Sequence, residues 1–312
     1  MTQPPRIALL CATRRGHLFL EKLMQLLPDS ELTVFSFREE PWEPAFFDGI
    51  KHATESRQHR FIEAKKVDAG MHARIWEQAD FQLLFAVSWR YLVPETVFLR
   101  PRRGAFVFHD SLLPRYRGFS PTVWAMANGE DHTGVTLFEM DAGMDTGLVV
   151  AQERVSIGDS DTIATVMERV TQTYLALLEQ NLAGLLAGTA PRVDQDESLA
   201  TYCCRRLPAD NRIDWSRSAR EISNLIRAVT APYPGAFTRA NGQLLRVWSA
   251  ALPGKPRRYA GVVPGRVVEV LPGVGVVVLT GDDCVLLKDV QLEGAGVTCS
   301  ANVLKPIGLT LE

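Results

Sequence analysis

The chain has 312 residues, 46% hydrophobic and 22% charged, which is enough apolar sequence for about two domains with cores of their own. Lysine and arginine number 34 against 36 aspartates and glutamates, and a net charge of −2 makes no general electrostatic case for nucleic acid or a membrane surface. No apolar run approaches the roughly 18 residues that span a bilayer.

Arg6–Ala12 reads as a continuous apolar strand. It is too short, and too closely followed by Arg14 and Arg15, to be a signal peptide, so the cytoplasm is the expected compartment. A Thr-Arg-Arg-Gly turn follows, then a helix carried by Leu18, Leu20, Leu23, Leu26 and Leu27 and stopped by Pro28. Leu32–Phe37 predicts a second strand and Arg60–Ala64 a third, with a helix over Gly70–Gln78 behind it. Phe81–Val87 and Gly104–His109 are two more strands. Strands alternating with helices predict a parallel sheet with helices on both faces, where ligands gather at the carboxyl ends of the strands. His109 sits at one such end.

Thr133–Met140 and Leu148–Gln152 are strand-like and flank the loop DAGMDTG, Asp141–Gly147. A long amphipathic helix runs from about residue 161 to 187, its apolar face made by Ile163, Val166, Val170, Tyr174, Leu177, Leu178, Leu182 and Leu185, with Gly188 as its stop. Thr189–Ala200 is polar and reads as a linker or strap. A capped helix over Ser218–Val229 follows. The strand-like segments Leu244–Trp248, Gly265–Leu271, Gly275–Leu279 and Cys284–Val290 predict a small β-barrel. The expected organisation is an α/β catalytic domain over 1–190, a linker over 191–210 and a C-terminal domain over 211–312.

The five cysteines (Cys11, Cys203, Cys204, Cys284 and Cys299) are scattered without C-x-x-C spacing, so neither a disulfide framework nor a metal site is expected. His17, His52, His59, His72 and His132 also lack metal spacing. The informative stretch is Phe108–Pro121, a histidine at a strand end followed by a loop with two prolines and a glycine. One reading is a buried His that caps the strand. The other pairs it with Asp145 from the neighbouring loop, the arrangement that tunes an imidazole for acid–base work near neutral pH. Arg14, Arg15, Arg115 and Arg117 are either a phosphate-binding set or solvated surface. There is no G-x-S-x-G elbow for Ser111 and no G-x-G-x-x-G for a dinucleotide.

HDSLLPRYRG, then PTVWAMANGE, then TGVTLFEMDAGMDTG resembles the signature of the 10-formyltetrahydrofolate-dependent formyltransferases. That family includes methionyl-tRNA formyltransferase, nucleotide-sugar N-formyltransferases and the hydrolase domain of formyltetrahydrofolate dehydrogenase. IDWSRSAREISNLIRAVTAPYPGAFT, GRVVEV and CVLLKDVQLEG resemble its C-terminal domain. The resemblance implies a Rossmann-like sheet followed by a small OB-like barrel. It makes His109 the group that holds the formyl oxygen and Asp145 the group that orients His109 and accepts the proton. It assigns Val87, Ser88, Trp89, Arg90, Tyr91, Leu92, Ser111, Leu112, Leu113, Pro114 and Asp141 to the folate site. For Trp89 and Tyr91, plain packing is the competing reading.

One position departs from the pattern. The transferases carry N-x-H, whereas here the tripeptide is Val107-Phe108-His109. An asparagine amide donates to a developing oxyanion, and losing one such donor typically costs about 2.7–4 kcal/mol. The expected activity is formyl transfer from 10-formyltetrahydrofolate to a small amine, foremost an amino sugar on a nucleotide, without a metal. The alternatives are a hydrolase, a methionyl-tRNA formyltransferase, or a non-catalytic folate or nucleotide-sugar binding module. Lys255, Arg257, Arg258 and Arg266 are too few for a tRNA footprint. Nucleic acid and membrane are not expected partners, and a homodimer is one option for assembly.

Overall fold

The computed structural model describes residues 3–40, 43–68, 71–254 and 257–312; Gly70 and Lys255, named above, lie outside the described residues. In chain order the elements are β1 (Arg6–Cys11), α1 (Thr13–Leu26), β2 (Glu31–Ser36), α2 (Phe47–Glu55), β3 (Arg60–Glu63), α3 (Met71–Gln78), β4 (Leu83–Val87), α4 (Glu95–Phe98) and β5 (Ala105–His109). There follow β6 (Arg117–Gly118), α5 (Pro121–Ala127), β7 (His132–Glu139), β8 (Val149–Ser156) and α6 (Ile163–Ala187). The last part holds β9 (Tyr202–Cys203), α7 (Ala219–Val229), β10 (Ala236–Ala240), β11 (Gln243–Val247), β12 (Ala250–Ala251), β13 (Val267–Leu271), β14 (Gly275–Leu279), β15 (Cys284–Leu287), β16 (Asp289–Leu292), β17 (Thr298–Cys299) and α8 (Ser300–Val303).

The chain forms two compact units. The first comprises residues through Gly118 together with Gly134–Val155 and Arg169–Tyr202. Its sheet has the strand order β3-β2-β1-β4-β5-β7-β8. The strands from β3 to β5 are parallel, and the inner ones are buried on both faces, which is why β1 and β4 read as unbroken apolar runs. On one face Phe19 of α1 packs edge-on against Phe85 and Phe108, and Tyr174 of α6 stacks on Phe108 at 4.9 Å. On the other, Leu10, Phe35, Leu84, Ala86 and Ala105 cluster with Trp76 of α3 and Val97 and Phe98 of α4.

Two expectations change here. The sheet is not wholly parallel: β7 runs antiparallel to β5, with His109 opposite Thr136 and Phe106 opposite Glu139. Thr13–Gly16 is not a turn ahead of the first helix but its opening turn. Gly16 makes that possible, because a Cβ there would stand 2.9 Å from the Cβ of Cys11. The helix α2 carried no strong apolar period. Pro121 stands at the first position of α5, where its missing N–H costs nothing.

The second unit comprises Phe119–Thr133, Ser156–Glu168 and residues from Cys203 onward. Within it α5 packs on α7. A capping box starts α7, where Ser218 Oγ accepts from the Glu221 N–H and Glu221 reaches back to the Ser218 N–H. The expected β region consists of two four-stranded antiparallel sheets, β10-β11-β16-β17 and β12-β15-β14-β13. The single strand expected over Cys284–Val290 is two strands, because the chain passes from one sheet to the other at Lys288. No helix among the described residues is long and apolar enough to cross a membrane.

Candidate active site

Left-handed backbone at non-glycine residues costs on the order of 1–3 kcal/mol and collects at functional sites. In the first unit Thr13, Ser88 and Tyr116 have φ of 65°, 53° and 61°. Thr13 and Ser88 stand just past the carboxyl ends of β1 and β4, and Tyr116 lies in the loop after β5. Asp145 is another, with φ of 56°, while Gln58, with φ of 60°, lies in the turn after α2.

His109 is 8% exposed. Its Nε2 lies 2.8 Å from the Tyr116 carbonyl oxygen, and its Nδ1 faces Asp145 Oδ2 at 3.6 Å. Both ring nitrogens therefore face acceptors. A neutral ring donates to one of them, and a doubly protonated ring donates to both. Asp145 Oδ2 also accepts the Gly118 N–H at 2.7 Å. The predicted pair meets: the His109 side chain is nearly buried and faces a carboxylate.

The two partners are held differently. His109 is the last residue of β5, and Asp110 beside it is pinned from below. Arg15 Nη1 donates to both Asp110 carboxylate oxygens at 2.8 and 3.0 Å. The Tyr174 hydroxyl donates to Asp110 and lies 3.0 Å from the Phe108 carbonyl. Burial first, and the Asp110 charge second, raise the Tyr174 pKa well above that of an ordinary tyrosine. Asp145 instead lies on the loop between β7 and β8. β7 ends level with Phe106, three residues back from His109, so this loop must double back along the sheet to bring Asp145 to the histidine. Two features shape it. Asp141 accepts from the Gly143 N–H and the Thr146 hydroxyl, and Gly147 presses so close to the Glu139 carbonyl that a Cβ would stand 1.7 Å away.

The four arginines divide. Arg14 and Arg115 are exposed. Arg15 makes the pin just described. Arg117 is fully buried and makes five side-chain hydrogen bonds, to Gln195, Glu197 and Tyr202. Its hydrogen bond to Glu197 raises its pKa further, against the effect of burial.

The remaining predicted residues line one edge. Val87 ends β4, and Trp89 and Tyr91 pack edge-on around Phe37 at 5.3 and 4.9 Å. The Trp89 Nε1 is shut off from solvent and has no hydrogen-bond partner. Arg90 is exposed and pairs with Glu43 at 2.6 Å. Burial opposes that carboxylate, but the Arg90 guanidinium and the Glu40 N–H hold its pKa below the ordinary value. Leu92 is 88% exposed. In the following loop Ser111 and Leu113 are buried. The Ser111 hydroxyl donates to the Arg115 carbonyl, the Leu113 N–H donates to Thr136 Oγ1, and the Leu113 carbonyl accepts from Gln152. Leu112 fits beside Gly134, and the Pro114 carbonyl accepts the Thr201 N–H. Val107 is half-buried and packs against the same apolar cluster as Trp89 and Met140. Sequence reasoning missed Thr136, Gln152, Gln195 and Glu197, which act through long-range contacts that leave no local pattern. Among the described residues no three His, Cys, Asp or Glu side chains are grouped to hold a metal ion.

A parallel-rich sheet with a histidine and a carboxylate meeting at its strained carboxyl edge is the frame of an α/β enzyme. The chain belongs to the formyl transferase family and is a formyltransferase. Residues 47–182 match the model of the formyl transferase domain, and residues 207–304 match that of the formyl transferase C-terminal domain. The fold is similar to that of an N-formyltransferase from Helicobacter canadensis solved with folinic acid and dTDP-3-aminofucose. The two are 17% identical with a TM-score of 0.70, over 91% of this chain and 98% of that one. It is also similar to HypX from Aquifex aeolicus solved with tetrahydrofolic acid, at 17% identity and a TM-score of 0.61, over 97% of this chain and 47% of that one. A methionyl-tRNA formyltransferase from Clostridium thermocellum is 18% identical, with a TM-score of 0.55 over 80% and 95% of the two chains.

Proposed function

We propose that the enzyme moves a formyl group from 10-formyltetrahydrofolate to the amine of an amino sugar carried on a nucleotide. The His109–Asp145 couple at the carboxyl edge of the sheet carries this reading. His109, exchanging its Nε2 contact with the Tyr116 carbonyl for the substrate, donates to the formyl oxygen as negative charge gathers there. Asp145 accepts the proton that the attacking amine gives up and returns it to the departing folate nitrogen, which balances the transfer without a metal. Exposed Leu92 offers an apolar surface to a flat heterocycle beside the carboxyl end of β4. Arg14 and Arg115 are exposed cations suited to substrate phosphates, and Arg15 and Arg117 are buried. The folinic acid and aminosugar nucleotide held by the Helicobacter canadensis enzyme agree with this choice. The reaction belongs to the cytoplasm.

The test is tetrahydrofolate release from 10-formyltetrahydrofolate with and without nucleotide-linked amino sugars. Release that depends on the amine supports the reading. Equally fast release in buffer alone supports a second one, in which water is the acceptor. Val107 favours that alternative, since an apolar side chain two residues before His109 leaves the oxyanion one donor fewer.

A further inference from the structure

We propose that Gln195, on the strap after α6, is a positioning residue for Asp145; the proposal rests on the His109–Asp145 reading above. The Gln195 Nε2 donates to the carbonyls of Asp145 and Gly147, at 2.9 and 2.8 Å. Its Oε1 accepts from Arg117 Nε and Nη2, at 3.1 and 2.7 Å. A guanidinium is a donor only, so Arg117 turns the amide oxygen toward itself and leaves both amide hydrogens for the loop. Glu197 and Tyr202 take the other donors of Arg117, and the Thr201 carbonyl accepts its backbone N–H, so the arginine cannot swing away. The next residue, Gly118, gives its N–H to the Asp145 carboxylate. Arg117–Gly118 thus reaches Asp145 twice, once directly and once through Gln195.

The need for this grip follows from the loop. Asp145 stands at φ 56°, a conformation a non-glycine residue leaves unless its surroundings hold it. Its loop starts from the far end of β7, so no strand fixes its height against His109. Two hydrogen bonds from one half-buried amide bracket Asp145 and Gly147, and set where the carboxylate points.

Gln195→Glu is the informative substitution. It keeps an acceptor for Arg117 and loses both donors to the loop. The expected result is a kcat at least about tenfold lower, with KM for 10-formyltetrahydrofolate changed by less than about threefold, because misplacing a reacting group harms the transition state more than binding. Exchange of the Gly118 amide, followed by NMR, should quicken as the carboxylate leaves it. Glu197→Gln, which loosens the same guanidinium but leaves both Gln195 donors on the loop, should lower the thermal midpoint and lower kcat by less than Gln195→Glu does. Wild-type kcat and Gly118 exchange in Gln195→Glu overturn the proposal, and so do equal kcat losses in the two variants. If the wild-type chain releases no tetrahydrofolate with any acceptor, the functional reading fails, and Gly118 exchange alone then decides the role of Gln195.

Discussion

The strand end that carries His109 and the return loop that carries Asp145 are held by different means. His109 inherits its place from β5, and the Arg15–Asp110–Tyr174 cluster below it is buried among the aromatic rings of the sheet face. Asp145 has no strand beneath it. Its place depends on a left-handed backbone, a glycine pressed against a carbonyl, and polar tethers that lead through Gln195 to Arg117. Arg117 is fully buried, but the side chain of its carboxylate partner Glu197 is 64% exposed. The lesson is that one half of the couple is set by the folding of the core, and the other by a few hydrogen bonds that a single substitution removes.

The largest effect is expected where the two halves meet. His109→Ala and Asp145→Asn should each lower kcat by about 10²–10⁴-fold with folate binding nearly intact, as read by steady-state kinetics and by titration with a folate analogue. Near-normal turnover in either variant would break the comparison at its centre. Next comes Asp110→Ala, which leaves the Arg15 charge buried without its carboxylate. A loss of about 3–5 kcal/mol in chemical denaturation is expected, and a loss below 1 kcal/mol would show that the strand end does not depend on this pin. Tyr174→Phe removes one donor from the same cluster and should cost about 1–3 kcal/mol.

Smaller effects sharpen the loop side. The Arg117 hydrogen bond holds the Glu197 carboxyl below the ordinary glutamate value of 4.5. Its contribution to stability is therefore complete above that value and lost as the pH falls through the lower folded one. Thermal midpoints taken from about pH 6 down to pH 3 should drop more steeply for wild type than for Glu197→Gln; parallel curves would remove Glu197 from the clasp. Smallest of all, Val107→Asn should leave amine-dependent formyl transfer within about threefold of wild type or raise it by supplying the absent donor. A fall of more than tenfold in transfer would show that the apolar wall itself serves the reaction.

Much of the first unit was legible because its signals are local. Unbroken apolar runs announced β1, β4 and β5, and the period of Ile163, Val166, Val170 and Tyr174 announced α6. His109 and Asp145 stood out because each lies beside a glycine- or proline-shaped loop. The direction of β7 was not legible, since antiparallel pairing with β5 is decided by the packing of whole elements. The break at Lys288 was hidden because a change of sheet leaves no mark in an apolar run. Arg117 and Gln195 are 78 residues apart, and nothing near either one forecasts the other.

The strap that grips the loop also touches the rim of the sheet. β8 is the last strand in the order, and Val193, two residues before Gln195, pairs with Val149 through backbone hydrogen bonds of 2.8 and 2.9 Å. An uncovered edge strand is a template for pairing with another chain. A protease cut in the strap would therefore do two kinds of damage at once, slackening Asp145 and opening a sticky border along the start of β8. Loss of activity and a tendency to self-associate should appear together, as one lesion.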